Sequence, residues 1–97
     1  HPDKHIVLIS TFPFYERQGI VIPEKATASY TEDDLAYCQI MRDVQKSFGH
    51  KNLHFIEGSD IMDEFNCVSA DMLHPRNYGH AVMGLNLAAR LKALAGL

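Results

Sequence analysis

The stretch "IVLIS", residues 6–10, indicates the fold class, because it is rich in β-branched residues and apolar, with no alternation of polar side chains. A strand with one face in water alternates apolar and polar residues, whereas a strand covered on both faces is apolar throughout. The stretch therefore predicts a buried parallel strand. A parallel partner is reached only through a crossover, usually a helix, so the following residues should supply one.

The crossover helix is predicted over residues 32–48. Its apolar side chains repeat at helical spacing. They are Tyr37, Ile40, Met41, Val44 and Phe48. Thr31 and Asp34 resemble a capping box at its start, and Gly49 suits its end.

The rest of the chain predicts a second strand, a turn and a last helix. "NLHFIEG" indicates a strand at 53–56, "DIMDEF" a turn or short helix, and the residues from Tyr78 to Ala95 a helix with a wide apolar arc. Residues 11–30 read as a long loop with a possible short strand at "GIVIP".

The predicted order is strand, helix, strand, helix, which is typical of an α/β layered fold. The 97 residues are interpreted as a single segment, 1–97. Two parallel strands cannot shield their own edges, so either two copies pair or the chain is the C-terminal part of a larger sheet. We favour the larger sheet.

Composition excludes several function classes. Apolar residues make up 46% of the chain and the net charge is −3, without a basic stripe for nucleic acid. No apolar run approaches the roughly 20 residues of a membrane span. Cys38 and Cys67 form neither a disulfide framework nor a Cys-x-x-Cys pair. The cellular location stays open.

The candidate chemistry lies in "DMLHP", residues 71–75. Pro75 drives His74 toward extended dihedrals, which lets the loop curl until the Asp71 carboxylate accepts a hydrogen bond from the imidazole. An imidazole oriented in this way is suited to act as a general base. Asn77 is the expected N-cap of the last helix. The loop follows the second strand, so it should lie at the carboxyl edge of the sheet, where ligands bind in open α/β folds.

Two other interpretations of these residues stay open. A histidine beside a carboxylate near a helix start often serves only as a cap or a surface ion pair. Cys67, Asp71, His74 and His80 also offer metal-ligand types, although their spacing matches no short zinc motif. The remaining histidines, His1, His5, His50 and His54, are expected at surface or edge positions.

"DMLHPRNYGHAVMGLNLAARL", residues 71–91, resembles the C-terminal signature of the SGNH hydrolases, also called GDSL esterases and lipases. The resemblance implies the last part of a flavodoxin-like, three-layer parallel sheet. It makes His74 the general base of ester hydrolysis and Asp71 its orienting partner, with no cofactor. Pro75, Gly79 and His80 match shape-setting positions of the signature, and His80 is not expected to be catalytic. The implied substrate is a small-molecule or carbohydrate ester, or an acylated lipid.

The sequence also departs from this family. The Gly-Asp-Ser motif that carries the nucleophile is absent, and so are the glycine and asparagine motifs of the oxyanion hole. "GSD" at 58–60 has the wrong order, so Ser59 is expected to be a turn residue. A base without a nucleophile and oxyanion donors lacks most of the catalytic power, so the chain alone should be inactive. Its expected partner is the N-terminal half of the domain. The alternative is a non-catalytic module that self-associates through its sheet edge.

Overall fold

A computed structural model describes residues 3–12, 30–70 and 74–96 of the chain. The elements, in chain order, are strand β1 (Ile6–Ile9), helix α1 (Tyr30–Phe48), strand β2 (Leu53–Ile56), helix α2 (Gly58–Ile61), a 3₁₀ turn (Phe65–Cys67) and helix α3 (Asn77–Leu94). The possible strand at "GIVIP" lies outside the described residues.

The two strands form a parallel sheet, as the apolar run at 6–10 predicts. The prediction that β1 is buried on both faces is wrong for the described residues, because Ile6 is exposed and the other three residues of β1 are half-buried. Ile6 pairs with Leu53, and the register continues to Ile9, which pairs with Ile56. Helix α1 makes the connection between them and packs against β2. The prediction of an α/β fold is therefore confirmed. Within the described residues the sheet has these two strands.

Helix α1 faces the sheet with a side other than its apolar stripe. Cys38 is buried at 1% exposure, Arg42 reaches β2, and the Gln45 amide donates to the Leu53 carbonyl at 3.2 Å. Most of the apolar stripe is exposed, and Met41 is half-buried; the exposed members are Tyr37, Ile40, Val44 and Phe48. The helix is thus confirmed, but polar bonds to the strand set its rotation and leave most of the apolar stripe in water.

The helix ends differ in detail from their sequence signals. The chain is already helical at Tyr30, so Thr31 lies inside α1, and the expected capping box is wrong. Arg76 occupies the N-cap of α3 and makes no side-chain cap bond, so the N-cap assigned to Asn77 is also wrong. Gly49 does end α1. It has a φ of 57°, which favours glycine, and its N–H donates to the Gln45 carbonyl.

A small core lies between the 3₁₀ turn and α3. Met62, Cys67 and Val68 are buried, and half-buried apolar side chains from α3 pack against them, together with Phe12 from the chain after β1. Gly79 allows this contact, because a Cβ there would lie 2.1 Å from the Cys67 carbonyl oxygen. The amide of Asn86 also donates to the Ile61 carbonyl at 2.9 Å. Helix α3 is therefore fixed closely against the segment that follows β2.

None of the helices in the described part of the chain is both long enough and apolar enough to cross a membrane.

Candidate functional site

The carboxyl ends of the two strands are joined by a polar network. The Ser10 hydroxyl, just after β1, donates to Glu57 Oε2 at 3.1 Å, and it accepts the Gly58 N–H at 2.8 Å. Arg42 of α1 completes the network with two bonds to the Glu57 carboxylate, at 2.5 and 2.9 Å. A bidentate guanidinium–carboxylate pair fixes both partners in one plane. The network therefore holds strand ends and helix in one arrangement.

The charges in this network reinforce each other. The hydrogen bonds that Arg42 donates to Glu57 raise the pKa of Arg42 above its ordinary value, and the negative charge of Glu57 adds to that effect. The Arg42 guanidinium also lies 5.7 Å from the centre of the Phe55 ring, within cation–π distance. Sequence inspection singles out neither Arg42 nor Glu57. The sequence marks them only by their polarity, since Arg42 lies among the apolar residues of α1 and Glu57 directly follows the strand β2.

Ser10 has no role as a nucleophile in this arrangement. It is 2% exposed, and its oxygen is engaged by both Glu57 and Gly58. A nucleophilic hydroxyl must instead reach substrate and pass its proton to a base. The "GSD" segment at 58–60 forms helix α2 rather than a simple turn. Ser10 therefore does not occupy a position suited to attack, and Ser59 lies in a short helix rather than in a simple turn.

A second polar contact ties the chain after β1 to α1. The Thr11 hydroxyl donates to the Asp34 carboxylate, and it lies 3.4 Å from the Cys38 sulfur. Asp34 and Cys38 are both buried. This explains Asp34 better than a capping box does, since its side chain bonds to the strand end.

The loop that carries His74 is closed at its base. The Ser69 N–H donates to the His74 carbonyl at 2.7 Å, and Val68 forms an antiparallel bridge with Pro75. The Arg76 N–H then donates to the Cys67 carbonyl at 2.9 Å. These backbone bonds hold residues 67–69 and 74–76 together at the core contact of Cys67.

His74 is exposed on this loop. Its ring is therefore not packed in the core, a placement that would have contradicted a proton-transfer role. Asp71, its predicted partner, lies outside the described residues, so the pairing of Asp71 with His74 stays a prediction. His80 is exposed on the first turns of α3.

Side chains beside the loop brace its two ends. Arg76 donates to the Asn66 carbonyl at 2.7 Å and to the Asn66 side-chain oxygen at 2.6 Å. The Tyr78 hydroxyl donates to Glu64 at 2.7 Å, and this bond raises the pKa of Tyr78 above its ordinary value. The Arg76 guanidinium also lies 5.4 Å from the centre of the Tyr78 ring. These contacts therefore fix the start of α3, which follows the loop.

The described residues of this region do not support a metal site. Among the described residues, no three histidine, cysteine or acidic side chains are grouped closely enough to hold an ion. Cys67 is 0% exposed, and burial raises the pKa of its thiol. Metals bind the thiolate, so a raised pKa opposes ligation by Cys67.

Comparison with protein families, with curated proteins and with solved structures finds no match to this chain.

Proposed function

We propose that this chain is the C-terminal part of a serine esterase of the SGNH type, in which His74 is the general base and Asp71 orients it. The observation that carries the proposal is that His74 is exposed while its carbonyl accepts the Ser69 N–H, next to Val68 of the buried cluster that Phe12 also contacts. A backbone held at this point and an exposed side chain suit proton transfer.

The position of the loop supports the proposal. Phe12, three residues beyond β1, packs on the cluster of Met62, Cys67 and Val68. Val68 in turn pairs with Pro75, the residue after His74. The loop base is therefore anchored beside the chain that leaves β1. In open α/β sheets, substrates bind outside the carboxyl ends of the strands.

Gly79, which matches a position of the signature, has a packing role in this fold. The sequence "HPRNYGH" places glycine five residues after His74, on the first turns of α3. Only a residue without a Cβ lets the helix approach Cys67, whose carbonyl also accepts the Arg76 N–H. The glycine thus couples the packing of α3 to the geometry of the loop, which is a reason for its place in the motif.

The incomplete burial of apolar side chains supports a missing part of the domain. Phe48 is 75% exposed and Ile6 is 52% exposed. Monomeric domains seldom leave neighbouring apolar side chains of this size in water. An N-terminal half that adds strands beside β1 would cover them, and it would also supply the nucleophile and oxyanion donors.

The test is ester hydrolysis by the longer polypeptide that the proposal requires, with a Gly-Asp-Ser segment ahead of residue 1. Hydrolysis of p-nitrophenyl acetate should be lost with His74→Ala and kept with His80→Ala, the matched histidine on α3. The 97-residue chain alone should show no activity above buffer. An upstream sequence without such a segment would refute the proposal, as would His74→Ala at full activity.

The Asp71–His74 pair can be tested in the chain itself. An imidazole that donates one N–H to a carboxylate is held in a single tautomer, which the ¹⁵N chemical shifts of the ring report. We expect one dominant tautomer in the parent chain and a mixture with Asp71→Asn. Identical spectra in the two proteins would contradict the pairing.

A second function is favoured by one specific observation. A largely apolar groove of about 440 Å³ lies between the β1 side of the sheet and the C-terminal end of α1, with Ile6, Leu8, Val44 and Phe48 in its lining. In the non-catalytic alternative, two copies of the chain cover this groove and pair their β1 edges. Light scattering would then give a mass that doubles with concentration, and Phe48→Ser would keep the chain monomeric. A monomer at all concentrations would exclude self-association.

A further inference from the structure

Two histidines far apart in sequence meet on one face of the sheet. His54 lies in β2 and pairs with Val7 of β1, while His5 comes two residues before Val7. Side chains two residues apart on a strand point to the same face, so His5 and His54 are diagonal neighbours across the sheet. Nδ1 of His5 lies 2.9 Å from Nε2 of His54.

The two rings lie edge to edge. Their planes differ by 12° and their centres are 5.1 Å apart. The distance between the ring centres exceeds the 2.9 Å between the nitrogens by about the width of one imidazole ring. A difference this large requires that the two rings are nearly coplanar and that the two nitrogens face each other. One nitrogen donates its N–H and the other accepts, so a single proton occupies the gap.

We propose that His5 and His54 form a two-histidine site for a divalent transition-metal cation such as Zn²⁺, in which the ion takes the place of the shared proton. Neutral imidazole nitrogen is a preferred ligand of Zn²⁺ at about 2.0–2.1 Å, and a tetrahedral ion holds two such nitrogens about 3.3 Å apart. The present 2.9 Å must widen by about 0.4 Å, and the rings must tilt, because the two lone pairs now point at each other along the line between the nitrogens. The site is independent of the proposed esterase function.

The exchange of proton for ion balances without an added reactant. The ring that donates its N–H moves that proton to its other nitrogen through solvent, and both facing nitrogens then present lone pairs to the cation. His5 is exposed, so its ring can tilt until the two lone pairs converge. Water fills the remaining coordination positions, because the described residues place no third metal-ligating side chain in the group.

Binding should also hold His5, the residue before β1, close to His54 in β2 and so stabilise the fold. The ion binds the folded chain, in which the two rings are adjacent, better than the unfolded chain, in which they are 49 residues apart. Zinc should therefore raise the melting temperature as well as bind at one equivalent.

The test is calorimetric titration of Zn²⁺ into the chelator-treated chain at about pH 7.5, where an ordinary imidazole is neutral. We expect one equivalent bound, with affinity lowered at least about tenfold by His5→Ala and by His54→Ala. His1→Ala, His74→Ala and His80→Ala should each leave it within about twofold, and circular dichroism checks the fold of every variant. If His54→Ala unfolds, His54→Gln replaces it.

Three results would overturn the proposal. One is no binding at about 1 mM Zn²⁺, and another is binding that both His5→Ala and His54→Ala leave unchanged. The third is binding lost with His1→Ala or His74→Ala, which would move the site to the chain start or to the loop. A zinc-dependent rise in melting temperature that persists in His54→Ala would count against this stabilisation of the fold in the same way.

Discussion

Gly79→Ala tests whether the close contact between α3 and the 3₁₀ turn shapes this protein. The added Cβ would lie 2.1 Å from the Cys67 carbonyl oxygen and 2.9 Å from its carbon. Ordinary contact between heavy atoms lies at roughly 3.5–4.0 Å. Both neighbours are backbone atoms, so no side-chain rotation relieves the overlap, and α3 must move away from Cys67.

The magnitude follows from three terms. Overpacking of this kind costs about 1–3 kcal/mol. The shift also strains the bond from the Arg76 N–H to the Cys67 carbonyl, worth about 1 kcal/mol. Alanine in place of a helical glycine returns up to about 1 kcal/mol of helix propensity. The free energy of unfolding should therefore fall by about 1–3 kcal/mol, which lowers the melting temperature by roughly 4–8 °C for each kcal/mol.

Gly84→Ala is the matched control, because Gly84 lies on the same helix and a Cβ there meets nothing within 4 Å. It should raise the free energy of unfolding by up to about 1 kcal/mol, from propensity alone. Urea and thermal denaturation followed by circular dichroism measure both variants. If Gly79→Ala is as stable as Gly84→Ala, the contact does not constrain the helix and the argument about the loop is refuted.

Three further predictions concern the polar contacts. Ser10→Ala leaves the buried Gly58 N–H without its acceptor and should lower the free energy of unfolding, measured by urea denaturation, by about 1–3 kcal/mol. Ser47→Ala, at an exposed site, should change it by no more than about 0.5 kcal/mol, and equal losses in the two variants would contradict the network. Glu64→Gln should lower the pKa of Tyr78, read from the pH dependence of its ring ¹³C signal. Because the folded pKa lies above the unfolded value of about 10, the Tyr78 contribution to stability is present below that pH and lost as pH rises through the folded value. An unchanged titration would show that Glu64 is not the cause. Burial and a raised pKa should keep the Cys67 thiol unreactive toward a disulfide reagent until the chain unfolds, and rapid labelling of the native protein would argue against its burial.

Local pattern was sufficient for the elements. The unbroken apolar run of β1, the helical spacing in α1 and the glycine at position 49 depend on neighbouring residues alone, and the structure contains each of them. The predicted helix caps were wrong, because Thr31 and Asn77 carry good capping side chains but lie within helices. Capping propensity is a small local preference that tertiary contacts override.

The candidate site also combines features that the local sequence predicts with features that depend on tertiary contacts. The order of strands and helices, and the choice of His74 as a candidate base, follow from short stretches of sequence, and the role of His74 stays a prediction. Long-range contacts set the rotation of α1, which turns Arg42 toward Glu57 and leaves Phe48 exposed, and they bring His5 to His54. These contacts join residues up to 49 positions apart. They depend on the register of two strands and the rotation of a helix, which no short stretch of sequence encodes.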